Sequence, residues 1–325
     1  MIYSFFNYKA VPALILSMLL GSELFASQTY WFSDTPPTKE IAKKMRSSHD
    51  GLVQRSREGG TAKRLWLREG EDLVTSSYVK QNKTPLMLLD AKKSIKPIAF
   101  KNRGYAEAMF KMADEGYYNL FMISKHLDGD TLHISTAKKE ALQHSCREGH
   151  DDVAQKIVAN SYNDAPIDII RERFPKENLH THVTSGDVVS FTLLHYGKPL
   201  SGASVTMVTQ KGWAKTLKSN AEGRVSFEMI RDYYPQWHEF KRRTRENFLI
   251  IAQYESSDFG LYKGDGFKSI HYKATAHGSY YPSTKDYKSY LYGLLIGLFG
   301  LFASGLAVYL YRRRRLNVYK EQRLD

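Results

Sequence analysis

The sequence is almost without cysteine, Cys146 being the single one in 325 residues. That excludes an intrachain disulfide framework, a zinc site built on four thiolates and a CxxC redox pair. Common enzyme signatures are missing as well. There is no GxSxG elbow, Trp237-His238-Glu239-Phe240-Lys241-Arg242 puts Arg242 where HExxH needs its second histidine, and Asp128-Gly129-Asp130 lacks the rest of a calcium loop. The expectation is a protein that is not an enzyme. With 42% hydrophobic and 25% charged residues the body is neither disordered nor polytopic, and at roughly 100 to 200 residues per domain it is long enough for two domains.

Long apolar runs occur at the two ends. Met1 to Ala26 reads as a secretory signal, with Lys9, an apolar run from Ala10 to Leu20, and the small Ala26 before the polar Ser27 and Gln28. Ser289 to Tyr311 carries no charge, and as a helix it would be about 34 Å long, enough for the hydrocarbon core. Tyrosines flank it on both sides, and Arg312 to Arg315 follow as a positive-inside signal. Signal and stop-transfer together predict one span at 289–311, an ectodomain outside, a juxtamembrane linker at 279–288 and a basic cytoplasmic tail at 312–325. Within the span, Gly293 and Gly297 form GxxxG, with Gly300 and Ser304 a second small pair, so the helix is a candidate for packing on a second copy or on a transporter subunit.

The net charge is +13, from 47 Lys and Arg against 34 Asp and Glu. Nucleic acid, acidic membrane and acidic ligands would all suit it, but an exported body does not meet nucleic acid. An ectodomain of this size with one cysteine fits the bacterial periplasm, and the inner membrane as its anchor, better than a eukaryotic secretory route.

Inside the ectodomain the period of the pattern changes twice. Strands are predicted at Arg64 to Leu67, Asp72 to Val79, Leu86 to Leu89, Ile95 to Phe100, Ala106 to Met112 and Tyr118 to Lys125. Asp114-Glu115-Gly116-Tyr117-Tyr118 has the form of a tyrosine corner, although a plain turn explains the same residues. From Ala137 to Ala159 the stripe Leu142, Cys146, Val153 and Ile157 is helical, with Cys146 a buried structural thiol rather than a partner of His144 and His150. After Pro166 alternation returns in Val189, Phe191 and Leu193 and in Val225, Phe227 and Met229, while Phe248 to Ala252 is a continuous apolar run suited to a sandwich centre. The fold class is mainly β: two immunoglobulin-like or transthyretin-like sandwiches at 27–136 and 165–278, a helical insert at 137–164, and one C-terminal transmembrane helix.

Gly186-Asp187-Val188-Val189, Tyr196-Gly197-Lys198-Pro199-Leu200-Ser201-Gly202-Ala203, Lys211-Gly212-Trp213, Asn220-Ala221-Glu222-Gly223-Arg224 and Tyr272-Lys273-Ala274-Thr275 follow one another in an order that resembles a bacterial periplasmic family. That family is an uncharacterised-domain group labelled as nickel or cobalt uptake accessories, of the substrate-specific transmembrane region type. Tyr30-Trp31-Phe32, Gly116-Tyr117-Tyr118 and Ala165-Pro166-Ile167-Asp168-Ile169-Ile170 extend the resemblance over most of 28–276. Its members often carry a histidine near the mature N-terminus, where Gln28 and Thr29 stand here. The resemblance implies an accessory role in transition-metal uptake or handling.

For such a role the candidate ligands of nickel, cobalt or copper are His180 and His182, two apart, and His271 and His277, of one parity in the last strand. Surface histidines on a polar strand explain them more simply, because no third or fourth ligand is fixed by spacing. A second candidate surface is the insertion from Arg231 to Asn247, where Trp237 and Phe240 lie beside Lys241, Arg242, Arg243 and Arg245. Aromatic and basic residues together suit acidic lipid heads or an acidic envelope partner, and give the alternative function: an adhesion or scaffold module that needs no metal.

Overall fold

Alternating strands build most of the chain. The computed structural model describes residues 28–47, 53–55, 61–144, 157–232 and 245–315, with side chains described for all of these but 44–47, 53–55 and 284–290. The signal segment, Cys146, His150, Val153, residues 233–244 and the end of the basic tail lie outside the described residues.

The N-terminal half comprises β1 (Tyr30–Ser33), α1 (Lys39–Ser47), β2 (Val53–Arg55), β3 (Thr61–Glu69), β4 (Ser77–Tyr78), β5 (Leu86–Leu89), β6 (Ile95–Ile98), β7 (Lys101–Asn102), β8 (Ala106–Met112), β9 (Gly116–Asp128) and β10 (Thr131–Gln143). The C-terminal half comprises β11 (Asp168–Arg171), β12 (Val188–His195), β13 (Lys198–Pro199), β14 (Ser204–Thr209), β15 (Ala214–Lys218), β16 (Arg224–Glu228), β17 (Glu246–Ser256), β18 (Gly260–Tyr262), β19 (Asp265–Phe267), β20 (Ser269–Tyr280) and α2 (Thr284–Arg315).

One sheet crosses both halves, in the order β15-β14-β17-β20-β10-β9-β5-β6. A sheet of β1, β3, β8 and β7, with β2 and β4 also on β3, covers one part of it, and Phe32, Leu65, Leu67, Phe110 and Met112 pack there on Leu86, Leu120 and Met122. A smaller sheet of β11, β12, β13 and β16 covers the other part from the opposite side, where Val189, Phe191, Leu193, Val225 and Phe227 meet Val205, Met207, Phe248, Ile250 and Tyr272. Each such large apolar side chain removed from water contributes about 1.5–3 kcal/mol. Where the long sheet is covered on both sides its strands lose alternation. Phe248, Ile250 and Ala252 of β17 face the small sheet, while Leu249 and Ile251 face Trp31 and Leu73. Gly278 lies opposite Phe248 in the ladder, and a Cβ there would stand 2.2 Å from the Phe248 ring, so the close approach requires glycine.

The fold class is as expected, mainly β sandwiches with one apolar C-terminal helix, but the joint between the halves differs. Ala137 to Gln143 was expected to begin a helical insert; it is the second half of β10, paired along its length with β9. Local propensity favours helix in Ala-Lys-Lys-Glu-Ala-Leu-Gln, and ladder pairing overrides it. β10 also pairs in parallel with β20, from Thr131↔Ser269 to Lys138↔Ala276, so the two sandwiches share one continuous sheet. The expected strand at Asp72 to Val79 shrinks to β4, because the Asp72 carboxylate accepts the backbone N–H groups of Val74 and Thr75 and holds a turn. The tyrosine corner is present: the Tyr118 hydroxyl donates to the Asp114 carbonyl at 3.1 Å and accepts from the Asp114 N–H at 2.9 Å.

β20 ends at Tyr280 and α2 begins at Thr284. The most apolar 18-residue stretch of Leu291–Arg315 has a mean hydropathy of 2.1 and none of it is buried against the described residues, and the helix is long and apolar enough to cross a membrane.

Candidate functional site

Past Lys138↔Ala276 the β10–β20 ladder stops, while β10 stays paired with β9 to Gln143 and β20 with β17 to Tyr280. The two strands part, and a cleft of about 310 Å³ opens between them. Polar groups from both faces of the sheet converge on it.

On one face stands Asp34, just after β1, and it is buried. Lys63 of β3 lies 2.5 Å from its Oδ1 as an ion pair, out of line for a hydrogen bond. Lys139 of β10 lies 2.8 Å and Arg245 3.2 Å from its Oδ2. Lys139 Nζ also donates to the His277 carbonyl at 3.1 Å and sits 2.8 Å from His277 Nδ1, which must then be the unprotonated nitrogen. Burial alone would raise the Asp34 carboxyl, but the charges of Lys139, Lys63 and Arg245 hold it well below the usual range. Burial pushes Lys139 down to about 8 against the attraction of Asp34, with Lys63 and Arg245 adding to the fall. Burial, then Lys139, holds His277 neutral, well below the ordinary imidazole value.

On the other face the charges balance. Lys138 pairs with Asp168 at 2.5 Å, Arg171 with Glu177 at 2.5 Å and Arg173 with Glu140 at 2.7 Å. The Arg173 guanidinium also lies over the Tyr117 ring, 3.6 Å from its centre, and burial pushes the Tyr117 hydroxyl up to about 12. Three cations thus meet three carboxylates on this side, whereas three cations meet one on the Asp34 side.

The expected metal ligands are not gathered. His180 and His182 lie in a turn and the loop after it rather than a strand, and the rings contact His144 and Tyr281 respectively. His271 and His277 share a face of β20, but six residues separate them by about 20 Å. His271 stands instead beside His133, its register partner in β10, ring centres 5.4 Å apart, and His277 packs on Trp31. Among the described residues no group of three or more His, Cys, Asp or Glu side chains is placed to hold a metal. Of the expected partner-binding residues, Trp237, Phe240, Lys241, Arg242 and Arg243 lie outside the described residues, and Arg245 belongs to the Asp34 cluster. Gly293, Gly297 and Gly300 face open space along α2, and Ser304 Oγ donates to the Gly300 carbonyl at 2.7 Å.

Sequence reasoning missed Asp34, Lys63 and Lys139. The one available signal was Lys138-Lys139-Glu140 set between Ala137 and Ala141, charges that a buried strand tolerates only when paired on both faces.

At the opposite end of β20 the ribbon of β18 and β19 folds over the tip of the long sheet. Tyr262 and Phe267 pack inward and the Tyr262 hydroxyl donates to the Lys125 carbonyl at 3.3 Å, while Phe259 and Leu261 point out, 87% and 78% exposed.

No family model matches the chain, and no curated protein matches its sequence. Among solved structures it is similar to one concerned with host cell surface retention of a 1.5-MDa bacterial ice-binding adhesin, at 10% identity over 70% of this chain and 59% of that one, with a TM-score of 0.20. A Ca2+-stabilised ice-binding adhesin of an Antarctic bacterium matches at 12% identity over 78% of this chain and 48% of that one, with a TM-score of 0.19. A two-domain fibronectin type III segment of chicken tenascin matches at 11% identity over 68% of this chain and 95% of that one, with a TM-score of 0.16. The chain therefore spans about half to three-fifths of the two adhesin structures.

Proposed function

We propose that this is a non-enzymatic, single-span envelope protein that acts as a scaffold, holding a partner protein at the end of its ectodomain farthest from the membrane. The observation that carries this reading lies along β20. That strand is central in the shared sheet and runs within a few residues into α2, so the body stands on the membrane helix as one post. Its twelve residues set the β18–β19 ribbon about 40 Å from the helix end. Phe259 and Leu261 on that ribbon are, outside α2, the most exposed large apolar side chains among the described residues. An apolar pair held out on a fixed ribbon suits a protein contact, since leaving it in water has no structural benefit. The signal-like N-terminus and Arg312 to Arg315 support an ectodomain in the periplasm and a C-terminus in the cytoplasm. The nickel or cobalt uptake reading has no comparable support, since its four histidines lie apart.

The test is a photo-reactive side chain at position 259 of the full chain in bacterial membranes. A discrete protein adduct that is lost on Leu261→Ser is expected. A labelling pattern matching that from the exposed Val188 position would overturn the reading.

A further inference from the structure

We infer that the cleft between β10 and β20 binds a phosphate monoester, carried by a lipid headgroup or free in solution, within the ring of Lys63, Lys139 and Arg245. This inference goes beyond the scaffold reading and does not depend on it.

Charge balance is the first reason. Buried charges are normally paired, and on the Glu140 face of the cleft each cation has its carboxylate. On the Asp34 face Lys63, Lys139 and Arg245 share the single carboxylate of Asp34, which leaves an excess of two positive charges. A doubly charged oxyanion cancels that excess. All three cations border the same void, and at about 310 Å³ it lies at the small end of the range for ligand sites, about 300–1,000 Å³.

The mixture of groups is the second reason. Arg245, with its guanidinium fork and a side chain 38% exposed, is set to meet an arriving anion, while Lys63 and Lys139 are fixed behind it by Asp34. Tyr281 lines the cleft three residues before α2 begins, within about 10 Å of chain from the membrane helix, which brings lipid phosphates into reach.

The groups facing the cleft also set its pH response. The Asp34 and Glu140 carboxyls are held below the usual range, Arg171 is raised, Tyr117 ionises only near 12 and His277 is already neutral. Lys139, lowered to about 8, is the group that changes. Between pH 8 and 9.5, where inorganic phosphate is already largely doubly charged, its affinity therefore falls as pH rises.

The experiment is calorimetry on the full chain in detergent, in buffers free of phosphate, with inorganic phosphate as one probe. Nanodiscs containing phosphatidic acid, compared with phosphatidylcholine alone, are the other. Saturable binding of either probe is expected, and the arm that binds identifies the source. Lys63→Met and Arg245→Gln each remove one cation from a cluster with an excess, so Asp34 stays paired in both folds. Each should weaken binding about tenfold or more. Lys268→Gln, at the distant Lys268–Asp130 surface pair, should leave it unchanged. No saturable binding of either probe, affinity in Arg245→Gln and Lys63→Met equal to the parent, or phosphate affinity constant from pH 8 to 9.5 would overturn the proposal.

Discussion

Replacing Lys139 by Met should not weaken the protein at pH 7, although it removes a buried ion pair. Deleting one partner of an isolated buried pair costs about 3–5 kcal/mol, because the other charge is left uncompensated. Asp34 is not isolated: without Lys139 it keeps Lys63 at 2.5 Å and Arg245 at 3.2 Å. Lys139 itself is held unfavourably, its value lowered from 10.5 to about 8 by burial and by Lys63 and Arg245, with the attraction of Asp34 already included. At about 1.36 kcal/mol per pKa unit this corresponds to a destabilisation of about 3 kcal/mol while the amine is charged in both states. Met keeps the stem volume and drops the charge, so the variant should equal the parent or exceed it by up to about 3 kcal/mol, less the hydrogen bonds lost to His277. The sign with pH follows. Between about 8 and 10.5 the unfolded chain holds a proton that the folded chain has released, so parent stability rises across that window relative to the variant and their difference closes. Urea unfolding of the full chain in detergent, without phosphate, measures both. A loss above about 2 kcal/mol in Lys139→Met at pH 7, together with a difference that does not change between pH 8 and 10.5, would refute the reasoning.

Tyr118→Phe removes the hydroxyl that both donates to and accepts from the Asp114 backbone, and should cost about 1–3 kcal/mol in unfolding free energy with the fold unchanged; an unaltered urea midpoint would show that the corner is only a turn. A reporter fused after Asp325 should be active only in the cytoplasm and one inserted near Lys285 only outside it; activity of the Asp325 fusion in the periplasm would reverse the orientation proposed for α2.

Periodicity was enough for the elements whose environment is uniform. Leu86–Leu89 and Ala106–Met112 are strands with the bounds expected of them, and Val189, Phe191 and Leu193 alternate as a half-covered strand must. The apolar run at Phe248 to Ala252 announced a strand covered on both sides, and the uncharged segment before Arg312 announced a helix long and apolar enough to cross a membrane, because both signals are carried by local composition. Spacing along the chain could not place His271 beside His133, nor His180 on His144 and His182 on Tyr281, since those neighbours are set by ladder register and by a turn. The same limit hid the cleft. Ala137 to Gln143 carries helix-forming residues, and what makes it a strand is its pairing with β9 throughout and, as far as Lys138, with β20 more than a hundred residues away. Only that pairing sends Lys138 and Glu140 to one face, Lys139 to the other, and brings Asp34, Lys63 and Arg245 to meet it. Composition decided the solvent each segment prefers; the tertiary fold decided which charges share a site, because a buried charge must find its partner through space rather than along the sequence.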